Sequence, residues 1–242
     1  MVNCFPEFAA MVTGYARSAR RKKDLHTLID IGAGTIDMTV FNVHQNQGED
    51  ILPIFARGVK PLGVTYLLRQ RYEKLNIKID IDPVQNALDN ESFALRYSIP
   101  LERINEIDGD FCKNFYSLIS GLLGYVKKIR YPRSPRWREG VPCFLCGGGR
   151  DIKTYRDVLN NFQEERFPLK IVLTELPFPN DLDREEHIED NIYRLLVAYG
   201  LSYDPDDIGN IIKSQNVEDA EPPPTLTFEE VYFSDYGSRI DR

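Results

Sequence analysis

Two glycines stand between two short apolar segments, with a carboxylate on each side, in the run Asp30-Ile31-Gly32-Ala33-Gly34-Thr35-Ile36-Asp37. Glycines at the apex of a hairpin permit positive φ and leave backbone N–H groups uncovered, so a phosphate can approach the turn closely. Asp30, at the end of the entering strand, can hold a hydrated Mg²⁺, which prefers few protein oxygens and several waters. Thr35 adds a hydroxyl beside the phosphates. The run predicts a phosphate and magnesium site, and a plain glycine hairpin is the alternative.

A second glycine turn, Gly147-Gly148-Gly149, follows an apolar strand over residues 141–146 and precedes a predicted helix. The N-terminus of a helix favours an anionic ligand. Cys143 and Cys146 in this strand have the spacing of a metal or redox pair, but residues three apart on a strand point to opposite faces of the sheet. We therefore expect two diverging, buried thiols here rather than a metal site.

The composition limits the classes of function that these motifs can serve. The 242 residues are 42% hydrophobic and 28% charged, which is typical of a soluble globular protein. The chain has neither an apolar run of about eighteen residues nor a basic-then-apolar signal at its N-terminus. Its net charge of −7 argues against broad nucleic-acid binding, and four cysteines are too few for a disulfide framework. We expect a cytoplasmic protein with reduced thiols and no membrane partner.

Two basic stretches, over residues 17–23 and 130–138, stand out against this acidic background. Solvated loop charge is the ordinary interpretation of such runs. The acidic surface of a partner is the alternative.

The apolar periodicity predicts an α/β fold. Three strands, over residues 27–31, 36–43 and 51–57, precede a helix from Val64 to Leu75, and the first two form a hairpin. Later strands alternate with helices, which implies parallel strands with crossover connections. We predict a main domain over residues 1–213, with a small inserted subdomain near residues 77–107 where Ile77, Ile79 and Ile81 alternate. Residues 214–242 are predicted to form an acidic, mobile tail.

Several motifs together resemble those of the actin-like ATPase superfamily, which includes actin, sugar kinases and heat-shock chaperones. The run from Asp30 to Asp37 resembles the second phosphate motif, a hairpin around the β- and γ-phosphates of ATP, and residues 144–150 resemble the adenosine motif. Residues 62–65 look like the Leu-Gly-Gly turn of the chaperone branch. Val197-Ala198-Tyr199-Gly200-Leu201 looks like the second connecting helix, in which small residues let two helices cross closely. These motifs occur in the family's order, and the resemblance covers about residues 5 to 210.

The resemblance implies a ribonuclease-H-like mixed sheet with flanking helices, forming one lobe of an actin-like ATPase domain, with ATP and Mg²⁺ as cofactors. In a complete protein of this kind Asp30 would hold Mg²⁺ through water, and Asp37 would help order metal-bound water, so these two residues are the predicted catalytic pair. The predicted phosphate contacts are Gly32, Ala33, Gly34 and Thr35. The predicted nucleoside contacts are Gly147, Gly148, Gly149 and Arg150. Arg150 replaces the family's usual small hydroxyl residue, either to stack on adenine or to point into solvent.

The departures from the family concern the N-terminal lobe. Neither a first phosphate hairpin nor a lysine for the γ-phosphate occurs upstream of Asp30, and residues 5–10 resemble the end of the first connecting helix. We therefore expect partners in the form of a missing N-terminal lobe or self-association, and only weak ATP binding without turnover. A scaffold or filament subunit of the same fold and a sugar or small-acid kinase are the alternatives. The two glycine turns should lie on one rim of the sheet, about a nucleotide's length apart.

Overall fold

The computed structural model describes residues 6–46, 49–78, 89–164, 169–183, 186–204 and 209–220. Its helices are α1 (Glu7–Ala16), α2 (Val64–Leu75), α3 (Asn90–Tyr97), α4 (Leu101–Tyr125), α5 (Arg136–Glu139), α6 (Lys153–Asn160) and α7 (Glu186–Leu201). Its strands are β1 (Asp24–Ile31), β2 (Ile36–Asn46), β3 (Glu49–Lys60), β4 (Val141–Cys146), β5 (Gln163–Glu164), β6 (Leu169–Leu173) and β7 (Asn210–Ile212). None of these helices combines the length and apolar character needed to cross a bilayer.

The strands form one mixed sheet in the order β5-β6-β4-β1-β2-β3-β7. β1, β2 and β3 are antiparallel neighbours. β4 pairs in parallel with β1, and β6 pairs in parallel with β4, so the chain returns through helices between these strands. This arrangement confirms the predicted α/β class and the ribonuclease-H-like mixed sheet.

Helices cover both faces of the sheet, because side chains alternate along each strand. Ile29, Ile31 and Cys143 belong to a core shared with α2, α3, α4 and α6. Leu28 and Cys146 belong to a second core shared with α1 and α7. The thiols of Cys143 and Cys146 therefore diverge as predicted, and burial raises the pKa of both.

α1 and α7 cross in direct backbone contact. A Cβ atom added at Gly200 would lie only 2.5 Å from the Cα and carbonyl carbon of Ala10, and one at Gly14 would lie 3.2 Å from Cε1 of Tyr199. Only glycine leaves room for this approach. The predicted close crossing of two helices at the Val197–Leu201 motif is therefore present.

Several elements extend beyond their predicted limits. α4 begins at Leu101 rather than near Phe111, because Ile104 and Ile107 continue the buried stripe towards the N-terminus of the helix. At its other end it continues into one π-helical turn, Val126–Arg130. The three residues of β7 pair with the edge of β3 and are too short to show a period in the sequence.

The segment predicted as an inserted subdomain includes α3, which packs on the main core. Phe93 is fully buried, and its ring lies 5.8 Å from that of Tyr72 in α2. The predicted strand from Ile77 to Ile81 lies mostly outside the described residues. The division of the chain into lobe and insert stays a prediction.

The beginning of the predicted tail contacts the folded body. The guanidinium of Arg130 donates to the carbonyl of Val217 and pairs with Asp219 at 3.0 Å. The Ala220 N–H donates to the carbonyl of Ile129 at 2.8 Å. The predicted acidic tail beyond residue 220 lies outside the described residues.

Candidate functional site

The two carboxylates of the Asp30–Asp37 run lie at one rim of the sheet. Asp30 is the penultimate residue of β1, and Asp37 is opposite it on β2 in the antiparallel register. Opposed residues share a face, so both side chains lie on the face covered by α1. The Thr35 hydroxyl donates to Asp37 Oδ2 at 3.0 Å. The structure thus brings Asp30, Thr35 and Asp37 together.

The turn between these strands is fixed by the first residues of α2. The N–H groups of Gly63, Val64 and Thr65 donate to the carbonyls of Gly34, Gly32 and Ala33 at 3.2, 3.1 and 2.8 Å. The turn therefore caps the helix, whose first N–H groups have no partner within the helix. Three successive turn carbonyls point towards α2.

The N–H groups of the same three peptide units must point the other way, because a trans peptide places its C=O and N–H on opposite sides. They belong to Ala33, Gly34 and Thr35, which are all exposed. They point away from α2. Consecutive N–H groups of this kind make a concavity that binds anions, and the N-terminus of α2 behind them adds positive potential.

The glycines of the turn do not have the conformation that we predicted. Neither Gly32 nor Gly34 has a positive φ, because the turn closes through a bond from Gly32 N–H to the Thr35 carbonyl and bends against α2. No atom lies within 4 Å of a Cβ added at Gly34. The absence of a side chain at Gly34 therefore leaves space beside the N–H groups rather than permitting an unusual backbone.

A glycine outside the predicted site residues makes the contact between turn and helix possible. A Cβ at Gly63 would lie 2.5 Å from the Ala33 carbonyl oxygen and 2.6 Å from the Thr35 nitrogen. In the sequence, the sign of this glycine's importance was the Leu62-Gly63-Val64-Thr65 turn at the start of the helix. Its function in this structure is to let α2 approach the hairpin.

Asp30 carries a half-buried charge that the described protein does not neutralise. Burial, followed by the negative charges of Glu7 and Asp37, raises the pKa of Asp30 to about 6. No group of three or more acidic, histidine or cysteine side chains within the described ranges could hold a metal ion. A cation beside Asp30 would therefore need oxygens from water and from a ligand, and Mg²⁺ prefers such a shell. The residues present fit Mg²⁺ bound together with a phosphate.

Gly147 makes room for this carboxylate. It has a φ of 81°, and an added Cβ would overlap Asp30 Oδ1 and lie 2.5 Å from the Ile31 carbonyl oxygen. Gly149 donates its N–H to that carbonyl at 3.0 Å, and a Cβ there would lie 2.7 Å from Val64 Cγ2. Gly148 is the exposed member of the turn.

The two glycine turns lie on the same rim of the sheet, as predicted, since Asp30 pairs with Cys146 in the parallel register. The predicted separation of about a nucleotide's length between them stays a prediction. Gly147 and Gly149 pack directly on the end of β1, because parallel neighbouring strands end side by side. The helix also begins only at Lys153, after a further turn, so its N-terminus does not directly follow the glycines.

Of the two expectations for Arg150, projection into solvent is wrong, and stacking on adenine stays a prediction. Its guanidinium carbon lies 3.2 Å from the centre of the Tyr193 ring, and its nitrogens lie 3.1 Å from Asp151 and 3.8 Å from Glu175. The Tyr193 hydroxyl donates to Glu175. Arg150 thus links the glycine turn to α7 instead of projecting into solvent.

A buried ion pair holds α2 behind the hairpin. Arg71 of α2 is fully buried and donates to both carboxylate oxygens of Asp108 in α4, at 2.9 and 2.5 Å. It also donates to Asn90 of α3 at 2.6 Å and to Thr154 of α6 at 3.3 Å. This network was not predicted, because its members look like ordinary surface residues in the sequence.

No family model and no curated protein matches this chain. Similar solved structures include the ethanolamine utilization protein EutJ from Carboxydothermus hydrogenoformans, at 15% identity and a TM-score of 0.40. MreB5 of Spiroplasma citri bound to ADP is similar at 16% identity and a TM-score of 0.44. A ParM filament from Clostridium botulinum is similar at 14% identity and a TM-score of 0.45. The alignments cover 81%, 82% and 83% of this chain.

These three proteins have the actin-like ATPase fold. The alignments cover 55%, 58% and 53% of their respective chains. This chain therefore spans a little more than half the length of each.

Proposed function

We propose that this chain binds Mg-ATP as one lobe of an actin-like ATPase, with the hairpin from Asp30 to Asp37 holding the phosphates. One observation carries the proposal. α2 binds three successive turn carbonyls, so the N–H groups of Ala33, Gly34 and Thr35 are fixed together on the outer side of the turn. A β- or γ-phosphate supplies the acceptors that such a set of donors requires.

The charge of Asp30 supports a metal in the same place. A carboxylate with a pKa raised to about 6 by burial and by two like charges is unfavourable at neutral pH unless a cation is near. Mg²⁺ would be held at Asp30 through water and would neutralise charge on the phosphates when bound. Asp37, held by the Thr35 hydroxyl, is positioned to orient a water molecule in this shell.

The adjacent glycine turn is the proposed nucleoside site. Gly148 is exposed between Gly147 and Gly149, which fix the turn against β1. An exposed glycine lets a flat ring lie against the backbone. The assignment of the base as adenine comes from the motif resemblance.

Hydrolysis is proposed to require a second lobe. Phosphoryl transfer depends on charge stabilisation around the whole γ-phosphate. The hairpin supplies donors from one side. We therefore expect weak affinity, nearer the millimolar range than the nanomolar range, from the chain alone.

The experiment is calorimetry with Mg-ATP on the wild-type chain and on Gly34→Val. Position 34 has open space around an added Cβ and an ordinary backbone conformation, so the fold should tolerate valine. The valine would cover the N–H groups, and we expect affinity to fall at least about tenfold, or 1.4 kcal/mol.

The matched control is Gly121→Val, at an exposed glycine of α4 that also has no atom within 4 Å of an added Cβ. It should bind Mg-ATP like the wild-type chain. Equal affinity of Gly34→Val and the wild-type chain would refute the phosphate assignment.

A further inference from the structure

The two basic stretches of the sequence meet at the end of the sheet opposite the hairpin. Asp24, which directly follows the first stretch, accepts a hydrogen bond from the Ser134 hydroxyl at 2.9 Å, and Ser134 lies within the second stretch. β1 begins at Asp24 and nearly ends at Asp30, so this surface lies about 20 Å from the candidate phosphate site. We call the exposed surface formed by residues 17–23 and 127–138 the basic face.

The buried ring of His26 lies near both stretches. Burial lowers the pKa of His26 to about 4, and the positive charges of Arg136 and Lys22 both contribute to this lowering. The N–H of Lys22 also donates to the Tyr15 hydroxyl, which contacts His26. One buried ring therefore experiences a cation from each stretch.

Much of this charge is open to solvent. Arg20, Lys22, Lys23, Arg133 and Arg138 are exposed, and these five cations come from both stretches. Arg136 pairs with Glu139 at 2.8 Å, which removes one charge from the surface. These cations form a local positive patch on a chain of net charge −7.

A short segment of the chain itself packs at the border of this face. Residues 217–220 lie there, with Val217 against the main core and Asp219 paired with Arg130. The Ala220 N–H reaches the Ile129 carbonyl, one of the last carbonyls of a helix and so without a partner inside it. The contact combines an apolar residue, a carboxylate and a backbone N–H.

From this geometry we propose that the basic face is a docking surface for an acidic segment of a partner protein, carrying carboxylates next to apolar residues. A protein segment fits better than a nucleic acid, because the contact at residues 217–220 uses a peptide N–H and an apolar side chain. The net negative charge of the chain also opposes a polyanion that extends beyond the face. This inference is independent of the proposed nucleotide binding.

The test uses fluorescence anisotropy with a fluorescein-labelled peptide made of the repeat Val-Glu-Asp. The full chain should bind it, and binding should weaken as salt screens the charges. Lys23→Glu and Arg133→Glu, one exposed residue from each stretch, should each lower affinity, and the double variant should lower it about tenfold or more.

The matched control is the double variant Lys78→Glu, Lys113→Glu, which makes the same change in net charge at exposed positions away from this face. It should bind the peptide nearly as well as the wild-type chain. Equal losses in the two double variants would show a non-specific effect of net charge and would overturn the proposal. A reduction from only one of the two single reversals, or tighter binding of a labelled DNA duplex than of the peptide, would also overturn it.

Discussion

Asp30 is the residue at which folding and the proposed function oppose each other. Its carboxylate is half-buried beside Glu7 and Asp37, and its pKa is raised to about 6. Since the unfolded value is near 3.8, the folded chain binds more protons than the unfolded chain between these two pH values. The contribution of Asp30 to stability is therefore fully present below this window and is lost as pH rises through about 6.

We predict that Asp30→Asn stabilises the ligand-free chain and weakens Mg-ATP binding. The amide removes the unfavourable charge, which should raise the free energy of unfolding by about 1–2 kcal/mol at about pH 7.5, after allowing for screening of a partly exposed group. This gain in the free energy of unfolding should vanish at about pH 4, where Asp30 is protonated in the folded chain. Urea unfolding at the two pH values measures this difference.

Asp157→Asn, at an exposed carboxylate of α6, is the control and should change neither stability nor binding noticeably. Loss of stability in Asp30→Asn at neutral pH would contradict this account of the site. Unchanged Mg-ATP affinity of Asp30→Asn would show that Asp30 does not take part in binding.

At the residue scale, the sequence predicted which polar residues lie together at the site. It did not show why the neighbouring turn residues have to be glycine. The spacing of Asp30, Thr35 and Asp37 sufficed to place them together, because opposed positions of a hairpin follow from its length. The requirement for Gly147 depends on the Asp30 carboxylate, which is more than a hundred positions away in the sequence. Only the strand register shows that contact.

Among the helices and strands, α2 affects the geometry of the site most, because its first turn orients the hairpin. The Arg71–Asp108 pair anchors this helix to α4, with both side chains almost fully inaccessible. A buried ion pair adds little net stability, but removal of one member leaves an uncompensated charge.

We predict that Asp108→Ala lowers the free energy of unfolding by about 3–5 kcal/mol, since Arg71 would remain buried without its carboxylate. Asp110→Ala, two residues away on the same helix with a side chain that is 71% exposed, should cost less than about 1 kcal/mol. Chemical denaturation compares the two variants. Similar losses in both would show that the buried pair does not anchor α2.

The sequence predicted the regular elements better than the contacts between them. The helical period of Val64, Leu67, Leu68, Tyr72 and Leu75 gave the bounds of α2 correctly. Arg71 is charged and lies within that helix, so the pattern alone suggested a solvent-exposed position. Its burial follows from Asp108 and Asn90, which no local rule connects to it.

For the whole molecule, the order of the elements determined the sheet. Three antiparallel strands followed by alternating helices and strands allow few arrangements, and the observed strand order is one of them. The packing of Gly147 and Gly149 on the end of β1 was not predicted, because it depends on which strands become neighbours. The parallel pairing of β1 with β4 brings the second glycine turn against that strand end.

We propose above all that the N–H groups of Ala33, Gly34 and Thr35 bind the phosphates of ATP. Amide proton–nitrogen NMR spectra during a titration with Mg-ATP test this assignment. We expect these three amide signals to shift most and the Gly148 signal to shift less, and we expect adenosine without phosphates to leave the three signals in place. If the three signals stay in place while Mg-ATP shifts others, or if no signal shifts at all, the phosphate assignment is wrong.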